Sequence, residues 1–315
     1  MRVLLTGAAG FIGMHAAARL LARGDEVIGI DNLSPYYSVK LKKDRLKRLK
    51  GMRFEKLDLA DSLSLERFFS KTKPEAILHL AAQPGVRYSL KNPAAYIQSN
   101  LLGFANLLEC CRRHPPRHLV FASSSSVYGA NPRLPWSEAD NVDHPVSLYA
   151  ATKKSNELTA HVYSHLYGMP ATGLRYFTVY GPWGRPDMSP VLFARAIMEG
   201  KPLAVFNHGD MQRDFTYVDD IVEGTLRVLD RPAGYKIYNI GNHQPVALLD
   251  YIRTLESALG RKAKLEMKPM QPGDVKATYA DTALLRAAVG FAPATPLAEG
   301  LARFAAWFRQ YYRYR

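Results

Sequence analysis

The chain has 315 residues, long enough for a sizeable core, and 42 Lys and Arg against 28 Asp and Glu give it a formal charge of +14. No apolar run approaches bilayer-spanning length, and a strand pattern begins at Arg2 with no room for a signal peptide, so a cytoplasmic location is expected and a membrane partner is not. The only cysteines, Cys110 and Cys111, adjoin each other and would be strained as a disulfide, which excludes a disulfide framework.

"RVLLT" reads as a buried strand, and Gly7, Gly10 and Gly13 follow it where a helix opens, with Met14–Arg23 helical and Gly24 ending it. Glycines at that junction let the backbone approach a pyrophosphate whose charge the helix N-terminus stabilises. The next strand, "EVIGI", leads to Asp31, about 20 residues beyond the glycines, where a carboxylate accepts hydrogen bonds from an adenosine ribose. It would repel a 2′-phosphate, so NAD is expected rather than NADP. The basic block Lys40 to Lys50 ("KLKKDRLKRLK") has no nucleic-acid module around it and reads as a solvated helix face, so nucleic acid is not an expected partner. "MRFEKL" is a third buried strand, followed by Asp58 and Leu59, placed to meet an adenine, and by Ser62 as the cap of a helix over Leu63–Lys71. "AILHLAA" is a fourth strand on which His79 reads as a satisfied core histidine. Leu80, Ala81 and Ala82 at its end join Phe11, Ile12 and Asn32 as expected cofactor contacts.

The helical segment Ala94 to Arg113 carries Leu101, Leu102, Phe104, Leu107 and Leu108 along one side, a stripe suited to the core or, beside a second helix, to a dimer contact. "HLVFASS" and "ATGLRYF" continue the strands. Between them, Tyr149 and Lys153 stand four residues apart in "SLYAATKKSNE", so one helix face presents a phenol and an ammonium together. Free tyrosine has a pKa of about 10, and use as a base near neutrality requires roughly 4 kcal/mol of phenolate stabilisation. A neighbouring ammonium supplies the right sign.

After Phe177 the texture changes to the Pro- and Gly-rich "YGPWGRPDMSP". The expected fold is α/β, a Rossmann-type doubly wound parallel sheet with a smaller C-terminal α/β substrate lobe. Residues 1–177 form the NAD-binding domain, 178–315 predominantly the substrate lobe, and a segment near 236–245 ("KIYNIG") returns to the main sheet. Leu248–Leu259 and Leu297–Tyr311 are the remaining substantial helices, "RQYYRYR" reads as a frayed terminus, and no metal site is expected.

"TGAAGFIG", "SSSSVYG" and "YAATK" together resemble the extended short-chain dehydrogenase/reductase superfamily, and "RYFTVYGP" and "MQRDFTYVDDIVEG" its nucleotide-sugar-modifying branch. Sugar 4,6-dehydratases of that branch usually carry Asp-Glu before "VYG", and decarboxylases a Glu at the second place; here Ser125 and Ser126 stand there, which disfavours acid-assisted loss of water. "SPYYSVKLKKDRL", "AAQPGVRYSLKNPAAYIQSN" and "FNHGDMQRDFTYVDD" are similar to the UDP-glucuronate 4-epimerases.

That resemblance implies reversible, NAD-dependent C4 epimerisation of a UDP-hexuronic acid through a 4-keto intermediate. Tyr149 would take the 4-hydroxyl proton as hydride leaves C4, Lys153 would hold the nicotinamide ribose, and Ser124 and Ser126 would bond the 4-oxygen. The oxidised uronate is a β-keto acid prone to lose carbon dioxide, so its carboxylate must be held out of alignment. Arg185, whose planar fork suits a carboxylate, is the candidate, and Thr178 stands where glucose-type epimerases commonly have Asn. Family analogy assigns Arg213 to the diphosphate, Asp274 to the uridine ribose, Phe206 to the uracil and Arg87 to an approach from the first domain, and suggests a homodimer. The alternatives are a UDP-glucose or UDP-N-acetylhexosamine 4-epimerase, a UDP-glucuronate decarboxylase and, from another class, a non-catalytic nucleotide-sensing or nucleic-acid-binding protein.

Overall fold

Along the first strand, Val3 and Leu5 pack into one buried layer and Leu4 into a second, because successive side chains point to opposite faces and both faces are covered. The computed structural model describes residues 1–271 and 275–314, so Asp274 lies outside the described residues. Strands β1 (Arg2–Thr6), β2 (Glu26–Asp31), β3 (Arg53–Lys56), β4 (Ala76–His79), β5 (His118–Ser124) and β6 (Ala171–Tyr176) alternate with helices. They are followed by β7 (Thr178–Tyr180), β8 (Pro202–Val205), β9 (Gln212–Tyr217), β10 (Tyr235–Ile240), β11 (Pro245–Ala247) and β12 (Lys264–Met267). The main sheet has seven strands in the order β10-β6-β5-β4-β1-β2-β3, every neighbouring pair parallel. Its order reverses between β1 and β4, and the crevice beyond the carboxyl ends of those strands is where such a sheet receives a nucleotide. β11-β9-β7 form a three-stranded sheet and β12-β8 a two-stranded one. No helix among the described residues is long and apolar enough to cross a membrane.

Local chemistry sets the element boundaries. Asp61, not Ser62, caps the Ser62–Thr72 helix, its carboxylate accepting from Ser64 N at 3.1 Å. β3 reads as buried but is mostly exposed, because it is the outer strand of the sheet and pairs on one side only, with β2. The segment expected as one helix from Ala94 breaks into a short α-helix (Pro93–Tyr96), a π-helical turn (Ile97–Leu102) and an α-helix (Gly103–Arg113). The wider turn splits the apolar stripe: Phe104, Leu107 and Leu108 are buried, whereas Leu102 faces solvent. Asn100, within the π turn, donates to Gln83 O at 3.1 Å and Thr152 Oγ1 at 3.0 Å and accepts from Gln83 N at 2.8 Å, while its own carbonyl accepts from Asn156 Nδ2 at 2.7 Å.

Two charged stretches differ from their sequence reading. In the basic block, Lys42 and Arg45 are buried because they serve the interior: Arg45 donates to Ala9 O at 3.0 Å, Tyr37 Oη at 2.8 Å and Trp183 O at 2.6 Å. The tail read as frayed is held as far as Tyr314, with a helix over Leu297–Tyr312, Tyr311 donating to Asp44 at 2.9 Å and Tyr314 to Glu199 at 2.9 Å. Cys110 and Cys111 are buried free thiols.

Candidate active site

The cofactor end of the cleft is built largely from backbone. Gly7 has φ +73°, and a Cβ there would meet Ala81 N at 2.7 Å, so the turn after β1 can close against the β4 loop only without a side chain. Gly10 is the N-cap of the Phe11–Ala22 helix, with no side-chain cap and no acidic residue in the first turn. A bare helix N-terminus behind a glycine cradle fits a dinucleotide pyrophosphate. Asp31 accepts from Ala9 N at 3.2 Å and Leu33 N at 2.8 Å, which ties it to the glycine loop. Asp58 accepts from Asn32 Nδ2 at 3.0 Å and Ala60 N at 2.9 Å, so it organises a turn while the neighbouring Asp61 does the capping. Gly7, Gly10, Phe11, Ile12, Gly13, Asp31, Asn32, Asp58, Leu59, Leu80, Ala81 and Ala82 all line one cleft, with Ser124, Ser126, Tyr149, Lys153, Thr178 and Arg185. His79 stays out of it as a core residue, Nδ1 2.8 Å from Thr6 Oγ1, and burial pushes its pKa down to about 3.

Ser147 caps the Leu148–Tyr167 helix by accepting from Ala150 N at 3.1 Å, which fixes where Tyr149 enters the first turn. Lys153 and Glu157 follow on the same face at successive turns. Lys153 Nζ donates to Ala122 O at 2.8 Å; burial pushes its pKa down to about 8, opposed by the Glu157 carboxylate. Glu157 is forked to Arg175 by two hydrogen bonds of 2.8 Å and accepts from Ser123 Oγ at 2.6 Å, all three groups buried. This buried support beneath the helix was missed in the sequence, where only the four-residue spacing of Glu157 from Lys153 hinted at it.

Tyr149 differs from expectation in its electrostatics. Burial holds its phenol above the ordinary value, and the groups pulling it down are the Ser124 hydrogen bond and the Arg185 charge, while the Lys153 ammonium is engaged at the Ala122 carbonyl. Ser124 Oγ also accepts from Ser126 N at 3.2 Å, which folds the Ser125–Tyr128 turn over the end of β5.

At the other end, Thr178 opens β7 in register with Phe215, and Arg185 stands in the loop that follows. The Arg185 fork is not open: Nε and Nη2 donate to Asp187 at 3.1 and 2.6 Å, and Tyr36 Oη donates to the same carboxylate at 2.9 Å. Tyr36, Lys42 and Gln83 also line the cleft and were not anticipated; the tyrosine pair in "SPYYSVK" was their one visible signal. Three candidates lie outside the lining. Arg87 sits over the Phe206 ring at 5.7 Å, and Arg213 donates to Gln212 O at 2.8 Å and Lys276 O at 3.2 Å.

Comparison with known proteins agrees with this geometry. The model of the NAD dependent epimerase/dehydratase family matches residues 3–241. A probable UDP-glucuronate 4-epimerase of Rhizobium meliloti is 48% identical over 335 residues, covering 99% of this chain and 98% of its own. The crystal structure of the UDP-glucuronic acid 4-epimerase of Bacillus cereus with UDP-glucuronic acid and NAD superposes with a TM-score of 0.93 at 34% identity, covering 99% of this chain and 100% of that one. A UDP-glucose 4-epimerase of Thermotoga maritima with UDP-glucose gives a TM-score of 0.92 at 31% identity, covering 99% and 100%. Backbone shape is thus common to enzymes for different sugars.

Proposed function

Because the chain belongs to the NAD dependent epimerase/dehydratase family, we infer from its cleft that it interconverts UDP-glucuronate and UDP-galacturonate by NAD-dependent epimerisation at C4. The observation that carries this is the junction of a glycine cradle with Tyr149 and Lys153 in one cleft that also holds Thr178 and Arg185.

NAD, when bound, supplies the group that accepts hydride from C4 and returns it. The backbone at Gly7, Gly10, Phe11, Ile12 and Gly13 would hold its pyrophosphate, Asp31 and Asn32 its adenosine ribose, Asp58 and Leu59 the adenine, and Leu80, Ala81 and Ala82 the opposite wall. Tyr149 takes the proton from the sugar 4-hydroxyl and later gives it back, and Ser124 and Ser126 bond the 4-oxygen and relay that proton. Lys153 orients the nicotinamide ribose, its Nζ fixed by the Ala122 carbonyl. The seryl positions 125 and 126 offer no carboxyl group for dehydration. Arg185 and Thr178 receive the C6 carboxylate, and Arg213, Phe206, Arg87 and Asp274 receive the UDP moiety.

This assignment divides the chain at 177/178 into a cofactor domain and a substrate lobe, with β10 returning to the first. The exposed row Leu158, Val162 and Leu166, four residues apart on the Tyr149 helix, together with Ile97 and Leu102, supports a homodimer through this face. A cytoplasmic location belongs to the same proposal. The test is incubation of the purified protein with UDP-glucuronate, UDP-glucose and UDP-N-acetylglucosamine in turn, each product mixture resolved by NMR. UDP-galacturonate from the first is the expected result; turnover confined to the neutral sugars overturns the substrate assignment. The Asp187 carboxylate in the Arg185 fork is the observation that favours UDP-glucose as the second reading, since it offsets the charge meant for the substrate.

A further inference from the structure

Arg185 lines the cleft and Asp187 does not, so the aspartate grips the guanidinium from behind the wall. Their side chains retain only 20% and 27% exposure. Tyr36, carried on the loop after β2, completes the set by donating to Asp187 Oδ2 at 2.9 Å. Its ring packs 4.6 Å from that of Tyr88, and a Cβ on Gly85 would come within 2.8 Å of its hydroxyl, so the phenol is boxed by the loop after β4 as well. Three separate loops therefore converge on the orientation of one guanidinium.

We propose that Asp187, steadied by Tyr36, is a positioning residue that fixes the rotation of the Arg185 guanidinium and so keeps a uronate carboxylate in the orientation that prevents decarboxylation. The proposal rests on the uronate reading above. Of the five N–H groups of a guanidinium, Asp187 occupies the Nε–H and one Nη2–H. The edge formed by Nη1 and Nη2 remains, and it can give two parallel hydrogen bonds to a carboxylate in a single plane. Released from Asp187, the guanidinium can also present its Nε edge, and the carboxylate gains a second orientation. Once C4 is a ketone, that freedom matters. If the bond from C5 to the carboxylate carbon aligns with the carbonyl π system it breaks, its electron pair passes to the C4 oxygen as an enolate, carbon dioxide leaves, and a proton taken up at C5 gives a 4-keto pentose. The partly neutralised arginine gives up some attraction for the substrate and gains control of its geometry.

The test compares wild type, Asp187→Asn and Tyr36→Phe on UDP-glucuronate. NMR measures the ratio of epimer to pentose products, and calorimetry measures UDP-glucuronate affinity. The ratio should fall about tenfold in Asp187→Asn, the scale of one charge-assisted hydrogen bond, and by a smaller factor in Tyr36→Phe, with affinity changing less than the ratio in both. Wild-type ratios in both variants overturn the proposal, as does a loss of affinity with the ratio intact. Should Asp187→Asn fail to fold, Tyr36→Phe decides alone. Clean wild-type epimerisation with unaffected variants refutes the clamp only; absence of wild-type turnover of UDP-glucuronate refutes the uronate reading and the clamp with it.

Discussion

The two ends of the cleft are built from different materials. Around the glycine loop the walls are largely backbone, and Lys153 on the Tyr149 helix is followed one turn on by the buried Glu157–Arg175 pair. At the far end they are side chains on loops, such as Arg185, held by the partly buried Asp187 and through it by Tyr36. A dinucleotide shared by a whole family can be met by main-chain groups, which are the same for nearly every residue type, whereas the choice among sugars needs groups that differ from one side chain to another. Arg45 links the two ends through Ala9 O and Trp183 O.

The contrast can be broken most severely at its junction. Tyr149→Phe should lower the epimerisation rate by roughly 10²–10⁴-fold while leaving NAD affinity, followed by fluorescence titration, close to wild type. Glu157→Ala strands the Arg175 guanidinium in the interior and should cost roughly 3–5 kcal/mol in urea unfolding, a price the loop end has no residue to match. His79 sharpens the same point through pH. Burial holds its folded-state pKa down to about 3, below the unfolded value, so the unfolded chain binds a proton first as the medium is acidified. Stability should therefore fall by roughly 1.4 kcal/mol per pH unit from about pH 6.5 down to about pH 3, and His79→Gln should flatten that slope in pH-dependent unfolding. The smallest effect belongs to the loops: Asp187→Asn should shift unfolding by about 1 kcal/mol or less. A cost there equal to that of Glu157→Ala would erase the distinction.

The same contrast explains what was legible in the sequence. Gly7, Gly10, Gly13 and Asp31 announce themselves because backbone approach and a strand end allow few residue types, and Tyr149 and Lys153 because helical spacing puts them on one face. The parallel sheet followed from the alternation of strands with helices. Asp187 gave no signal, and Tyr36 only its place in the tyrosine pair, since a loop contact between residues 151 apart leaves no periodicity. Lys42 and Arg45 looked like solvent-facing charges because burial of a cation depends on carbonyls supplied from elsewhere, here Ser34, Ala9 and Trp183. The break at Ile97–Leu102 escaped notice because a π turn keeps helical composition while altering its pitch.

That turn acts as a phase shifter. A residue inserted into an α-helix displaces everything before it by about 100° relative to everything after it, so the portion ahead of Gly103 can answer to the cleft while the portion behind it answers to the interior. Deleting one residue between Ile97 and Leu102 would bring the two portions back into step. Phe104, Leu107 and Leu108 would keep their seats, and Asn100 would swing off the Gln83 main chain, loosening one cleft wall in a protein that still folds.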